Sequence, residues 1–148
     1  MNAPVETVAS SDRSTHAGDV DLAKVAAEVR AVFDAYEAAL VGHDNAALCN
    51  FFWDSPHTIR YGVAEHSHGI DSIRAFRADA APVHPQRRLR DTTITAYNAD
   101  TASACTQFMA PDTTLIGRQS QTWVRFPEGW KIVSAHVSNV NPDRLTVY

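Results

Sequence analysis

A basic surplus, a cysteine framework and long apolar runs are all missing from this chain. Its 13 Lys and Arg are outnumbered by 17 Asp and Glu, a formal net charge of −4. That balance gives no electrostatic footprint for nucleic acid or an anionic membrane. The two cysteines, Cys49 and Cys105, each sit in an apolar run and are too few for a multi-bridge scaffold. They read as buried free thiols in a reducing compartment. No apolar stretch approaches the roughly 18 residues a membrane span needs. The opening MNAPVETVASSDRSTH lacks a basic segment followed by an apolar core, so no secretory signal is expected and the cytoplasm is the expected location. GxSxG, a Walker loop, GxGxxG after a strand and HExxH are also absent, which leaves serine-hydrolase, nucleotide-binding and zinc-protease readings without support.

What is present organises into one domain, for which 148 residues are enough to bury a core. Residues 1–20 are rich in Ala, Ser, Thr and Asp without periodicity and read as a loose arm; residues 21–148 read as a single domain. Val25, Val29, Val32, Phe33, Tyr36, Ala39 and Leu40 recur at helical spacing through a helix of about 20 residues. Gly42 is expected to end it in the left-handed conformation. Asp44 should cap a second, short helix over AALCNFFW, closed by Pro56. HTIRYG and AEHSHG then read as short strands, followed by a third helix over DSIRAFRADA that stops before Pro82. RRLRDTTITAYN, TASACTQFMA, TLIGRQSQTWVRF and WKIVSAHVSNV read as four strands on short turns, and therefore as antiparallel neighbours. Helices first and strands last point to α+β, with three helices on a curved antiparallel sheet.

The informative residues are polar ones on apolar faces. Tyr36 lies on the apolar stripe of the first helix: its hydroxyl serves either a backbone carbonyl or a pocket. Strand alternation puts Thr58, Arg60 and Gly62 on one face, and Arg60 is either solvated or turned into the concave side. Arg77 shares a helix face with Ile70 and Ile73, where an arginine must snorkel, pair or meet an anion; Arg74 is one step round. Gln119 and Gln121 share a face with Trp123 and need hydrogen-bond partners, from a ligand or from a structural network. His66 and His68 have metal-ligand spacing on one strand face, but no Cys, Asp or Glu cluster accompanies them, so no metal is expected. The facing of His136 depends on the turn after Phe126. If Phe126 pairs with Trp130, His136 points away from the glutamines; one residue more in the turn would bring it to them. The first register is expected.

FDAYEAAL, FFWDSPHTIRYGVAE, GIDSIRAFR and GRQSQTWVRFPEGWKIVSAHVS together resemble the AtzH-like group of nuclear transport factor two-like proteins, from about Val29 to Ser138. The resemblance implies that fold's cone, shared with ketosteroid isomerase and scytalone dehydratase. It also implies ureide chemistry in nitrogen-compound catabolism, the conversion of dicarboxyurea to allophanate. The family's catalytic tyrosine and arginine fall on Tyr36 of FDAYEAAL and Arg60 of TIRYG. Where relatives read a form like ENLYG, this chain reads EHSHG.

On that reading Arg60 and Arg77 each hold a carboxylate, Tyr36 moves a proton, and Gln119 and Gln121 fix the urea group without a cofactor. Two other classes stand beside it. One is a cofactor-free isomerase or dehydratase, which usually sets an Asp, or an Asp and a His, in an apolar pocket. The other is a non-catalytic binding or assembly module. The expected partners are a small anionic substrate and further copies of the chain in a homodimer or larger assembly, since one face of a four-strand sheet with Trp, Val and Tyr residues exceeds what three helices can cover; nucleic acid and membrane are not expected.

Overall fold

The computed structural model describes residues 19–148, so the arm expected over 1–20 lies outside the described residues except for Asp19 and Val20. The elements run α1 (Leu22–Val41), α2 (Asn45–Asn50), β1 (Ile59–Tyr61), β2 (His66–His68), α3 (Ile70–Asp79), β3 (Arg88–Asn98), β4 (Thr101–Met109), β5 (Ile116–Phe126) and β6 (Gly129–Val140). Among the described residues no helix is long and apolar enough to cross a membrane.

α1 starts at Asp21, whose side chain accepts from the Lys24 N–H at 3.1 Å, and buries Val25, Ala26, Val29, Phe33, Tyr36, Glu37 and Leu40. Its end departs from expectation. Gly42 is right-handed (φ −76°, ψ −3°), and His43 carries the positive φ of 53°. A Cβ at 42 would lie 3.2 Å from the Ala38 carbonyl oxygen, so a side chain there would need a local shift of a few tenths of an ångström. The reversal at His43 brings Asp44 to the start of α2, where its carboxylate accepts from the Ala47 N–H at 3.1 Å.

The six strands form one sheet in the order β2-β1-β6-β5-β4-β3. All neighbours are antiparallel except β1 and β6, which run parallel, a pairing that the long connection through α3 and four strands permits. Register shifts in β3–β4 and β5–β6 interrupt the ladders, and such bulges bend and twist a sheet. The three helices cover its inner face, where Ile94, Ala96, Ala102, Ala104, Trp123, Ile132 and Ala135 meet Val29, Phe33, Leu40, Leu48 and Ile73. The chain leaving α2 is tied to β6 by Trp53 N–H to Ile132 O (2.9 Å) and Ile132 N–H to Phe51 O (2.8 Å). That junction holds the aromatic pair Phe51 and Phe52 against the end of α1.

The β5–β6 turn reaches the expected facing by another route. Phe126 pairs with Gly129, not Trp130, across the two-residue turn of Pro127 and Glu128, and Gly129 at the start of β6 adopts φ +116°. Trp123 accordingly pairs with Ile132, not Val133, and a bulge between Thr122 and Trp123 then shifts the register by one. Beyond the bulge Ser120 faces His136, and the glutamines face the other way.

Candidate functional site

One row of inner-face residues crosses all six strands: Ile94, Ala104, Gln121, Ala135, Arg60 and Ser67 are successive partners. The alternation that buries Thr58 and Arg60 therefore points the Arg60 guanidinium inward, onto Phe76 of α3. Arg77 comes down from α3 to the same region. Each is nearly fully buried, at 7% and 6% exposure.

The two guanidiniums lie about one ring. The Arg60 Cζ is 4.2 Å and the Arg77 Cζ 5.3 Å from the Phe76 ring centroid, both within reach of cation–π attraction. Arg77 Nη2 donates to the Tyr36 hydroxyl at 3.0 Å. Tyr36 is itself buried, its ring edge-on to Phe51 (5.8 Å) and Phe52 (6.3 Å). A phenol whose oxygen accepts from a guanidinium has its own O–H proton free for a bound acceptor. Arg60 Nη1 donates to Glu65 Oε1 at 2.6 Å, a charge-assisted bond across the β1–β2 turn. That turn closes with Gly62 N–H to Glu65 O at 2.9 Å. A side chain on Gly62 would collide with the Glu65 carboxylate and with Arg60 Nη1.

Two cations and one carboxylate leave the cluster with a net positive charge. Arg77 Nε is buried without any hydrogen-bond partner, the one such side-chain atom among the described residues. Burial pushes the Arg77 pKa below the ordinary guanidinium value; the like charge of Arg60 adds to this and Tyr36 opposes it. Partial burial pushes the Glu65 carboxyl up. The hydrogen bonds from Arg60 and the Ala64 N–H, with the charges of Arg60 and Arg77, outweigh it and hold the carboxyl below its ordinary value. An under-neutralised buried cation with an idle donor is costly unless an acceptor meets it. Arg77 also lines a groove of about 370 Å³ between α2 and α3, with Asn45, Cys49, Asn50 and Arg74.

The other expected residues are placed differently. Gln119 belongs to a separate cluster: its Nε2 donates to Glu37 Oε1 (2.9 Å), and its Oε1 accepts from Arg87 Nη2 (3.1 Å). Arg87 also donates from Nε to Glu37 Oε2 (3.1 Å) and stacks on Phe108 at 3.9 Å. Gln121 uses its carbonyl to accept from the Trp123 indole at 3.1 Å. Arg74 is half exposed and bonds Asp71 at 3.0 Å. His66, His68 and His136 gather around the Tyr61 ring at 4.7, 5.7 and 6.1 Å on the outer face of the sheet. Among the described residues no three His, Cys, Asp or Glu side chains converge on a metal position.

Glu65, Phe76, Glu37 and Arg87 escaped the sequence reading. Glu37 had a signal, because it falls four residues after Phe33 and three before Leu40 on the buried stripe. Glu65 had one too: opposite charges five residues apart across a two-strand turn. Phe76 and Arg87 had none that spacing alone could carry.

The family model for AtzH-like proteins matches residues 18–143. A protein with unknown function from Pectobacterium atrosepticum is 50% identical over 80% of this chain and 92% of its own, with a TM-score of 0.77. A cystatin-like fold protein from Burkholderia xenovorans is 46% identical over 79% and 92%, also at TM-score 0.77. A nuclear transport factor two-like superfamily protein from Salmonella enterica shares the fold at 24% identity over 84% and 96%, with a TM-score of 0.60. No curated protein matches the chain. The architecture is thus the nuclear transport factor two-like cone, and with a match across that span and relatives near half identity the chain belongs to the AtzH-like family.

Proposed function

We propose that this protein is an enzyme that holds a small doubly anionic ureide between Arg60 and Arg77 and removes a carboxyl group from it, dicarboxyurea to allophanate being the leading case. The observation that carries the proposal is the buried pair of guanidiniums sharing a single carboxylate, with Arg77 Nε left without an acceptor beside the Tyr36 hydroxyl. A guanidinium presents two parallel donors to a carboxylate, which an ammonium cannot do. With one carboxylate on each arginine, the ureide nitrogen comes to the Tyr36 side. As the bond between that nitrogen and the leaving carboxyl carbon breaks, the Tyr36 O–H delivers its proton to the nitrogen. The bonding pair stays on nitrogen and carbon dioxide departs. Tyr36 recovers a proton from solvent, so the net change is dianion plus one proton to allophanate and carbon dioxide. The Arg77 bond to the phenol oxygen supports the charge that Tyr36 carries in between.

The chain is further proposed to act as a homodimer or larger assembly. Support comes from the outer sheet face, where Tyr97 is 58% exposed and the histidines around the half-buried Tyr61 ring are exposed. Light scattering at micromolar concentration tests this, and a monomer mass would count against it.

The function is tested by following allophanate formation from dicarboxyurea, with spontaneous decay subtracted. Tyr36→Phe should lower turnover by about 10²–10⁴ while binding and melting temperature hold, the range for a lost general acid. Arg60→Lys should fail as well, because it keeps the charge and loses the fork. Wild-type turnover in both would return Tyr36 to the role of a core tyrosine.

A further inference from the structure

Among the described residues Glu65 is the one carboxylate in contact with the arginine cluster, and its placement is unlike that of its partner. Arg60 is rigidly set: its backbone lies in β1 between β2 and β6, and its side chain is 8% exposed. Glu65 stands just before β2, at the edge of the sheet, with its side chain 31% exposed. Its Oε1 lies on Arg60 Nη1, and its Oε2 accepts only from the adjacent Ala64 N–H at 3.2 Å. The turn itself is held by the backbone bond between Gly62 and Glu65, so side-chain rotation alone carries the carboxylate out to water. Arg60 has no such exit. The glycine at 62 also leaves open the volume that the carboxylate fills.

We infer that the Glu65 carboxylate is a resident competitor that occupies the ligand-carboxylate position on Arg60 and must swing out before an anion binds, making Glu65 a determinant of which ligands the site accepts. The inference rests on the anion-binding reading above and deepens it. Charge balance supports it. With Glu65 seated, the two arginines and one carboxylate sum to one positive charge. With Glu65 in water and a dianion in its place, the two arginines are fully neutralised. A monoanion that displaces Glu65 only exchanges one carboxylate for another and leaves the same single positive charge, so it gains nothing in charge balance from the exchange. The seated carboxylate also keeps Arg60 paired when no ligand is bound.

A site that is open only part of the time binds more weakly by the open fraction. If Glu65 is seated about nine-tenths of the time, removing its charge should tighten binding about tenfold. Isothermal titration with malonate as the probe reads this directly. Glu65→Gln keeps the shape and loses the charge; Glu65→Ala removes the group altogether and covers the case in which glutamine still holds Arg60. Both should bind malonate about tenfold more tightly than wild type, and the gain should vanish when Arg60→Met is added. If Arg60→Met abolishes malonate binding but neither Glu65 variant tightens it, the competitor role is overturned and the anion site stands. Weaker binding by both Glu65 variants overturns it too, since Glu65 would then be orienting Arg60 for the ligand. If wild type and variants all ignore malonate, the anion site and the competitor role fall together.

Discussion

Two buried ion clusters leave α1 at adjacent positions, Tyr36 and Glu37, and they are completed in opposite ways. The Glu37 cluster is closed. Both carboxylate oxygens of Glu37, the guanidinium of Arg87 and both ends of the Gln119 amide are paired with one another, and one positive charge meets one negative. The Tyr36 cluster is open: two arginines share one carboxylate, a buried Nε has no acceptor, and the carboxylate stands at the solvent edge. The arginines are similarly buried in the two, so burial of the cation does not distinguish a structural network from a candidate binding site. Completeness of pairing does, because a fully paired network has nothing to offer a ligand.

The largest expected effect breaks the closed cluster. Arg87→Met leaves the Glu37 carboxylate buried with only Gln119 as a donor, and removing one partner of a buried pair destabilises by about 3–5 kcal/mol. Denaturant unfolding should show a loss of that size, while malonate affinity in the folded protein should stay within about twofold. A Glu37 cluster that binds ligand would instead lose affinity in step with stability.

The mirror experiment is Arg77→Met. It removes the idle Nε and one of two like charges, so folding stability should move by less than about 1 kcal/mol. Malonate affinity should fall by about 2–4 kcal/mol, the scale of losing a charge-assisted pair. A large stability loss with unchanged affinity would interchange the roles of the two clusters. Between them lies Gln119→Leu, which takes one donor from Glu37 and one acceptor from Arg87. A stability loss of about 1–3 kcal/mol without change in malonate affinity is expected; a loss of affinity alone would return Gln119 to the ligand.

These contrasts also mark how far the sequence could be read. Element order, helix faces and strand alternation followed from periodicity, which put Tyr36 and Arg77 on apolar helix faces but left Arg60 either solvated or turned into the concave side. Pairing did not follow. Whether Gln119 meets a ligand or Glu37 depends on Arg87, which lies 32 residues before Gln119 and 50 after Glu37. No local pattern specifies a contact at that distance. His136 teaches the same lesson, since its facing comes from a bulge inside β5, between Thr122 and Trp123, that offsets a turn shorter than the spacing predicts. The parallel β1–β6 pairing was likewise invisible, because a parallel neighbour is chosen by tertiary packing and not by a turn.

The smallest expected effect concerns the pH dependence of the Arg60–Glu65 pair. The folded-state pKa of Glu65 is lowered relative to the unfolded chain, although desolvation alone would raise it. A carboxyl of that kind contributes stability that is fully present above its unfolded pKa and is lost as pH falls through the folded value. Its side chain is nearly one-third exposed, so solvent screening limits the contribution to about 1 kcal/mol or less. Wild type should therefore be slightly more stable than Glu65→Gln at neutral pH in buffer free of carboxylates. The difference should shrink toward zero as pH is lowered past the ordinary carboxylate range. Chemical denaturation of the two proteins in parallel measures it, since every other acid group is common to both. A difference that stays constant with pH would mean that the Glu65 charge is not what holds Arg60. One as large as the Arg87→Met loss would mean that the edge pair is as structural as the closed cluster, and the contrast between the two would collapse.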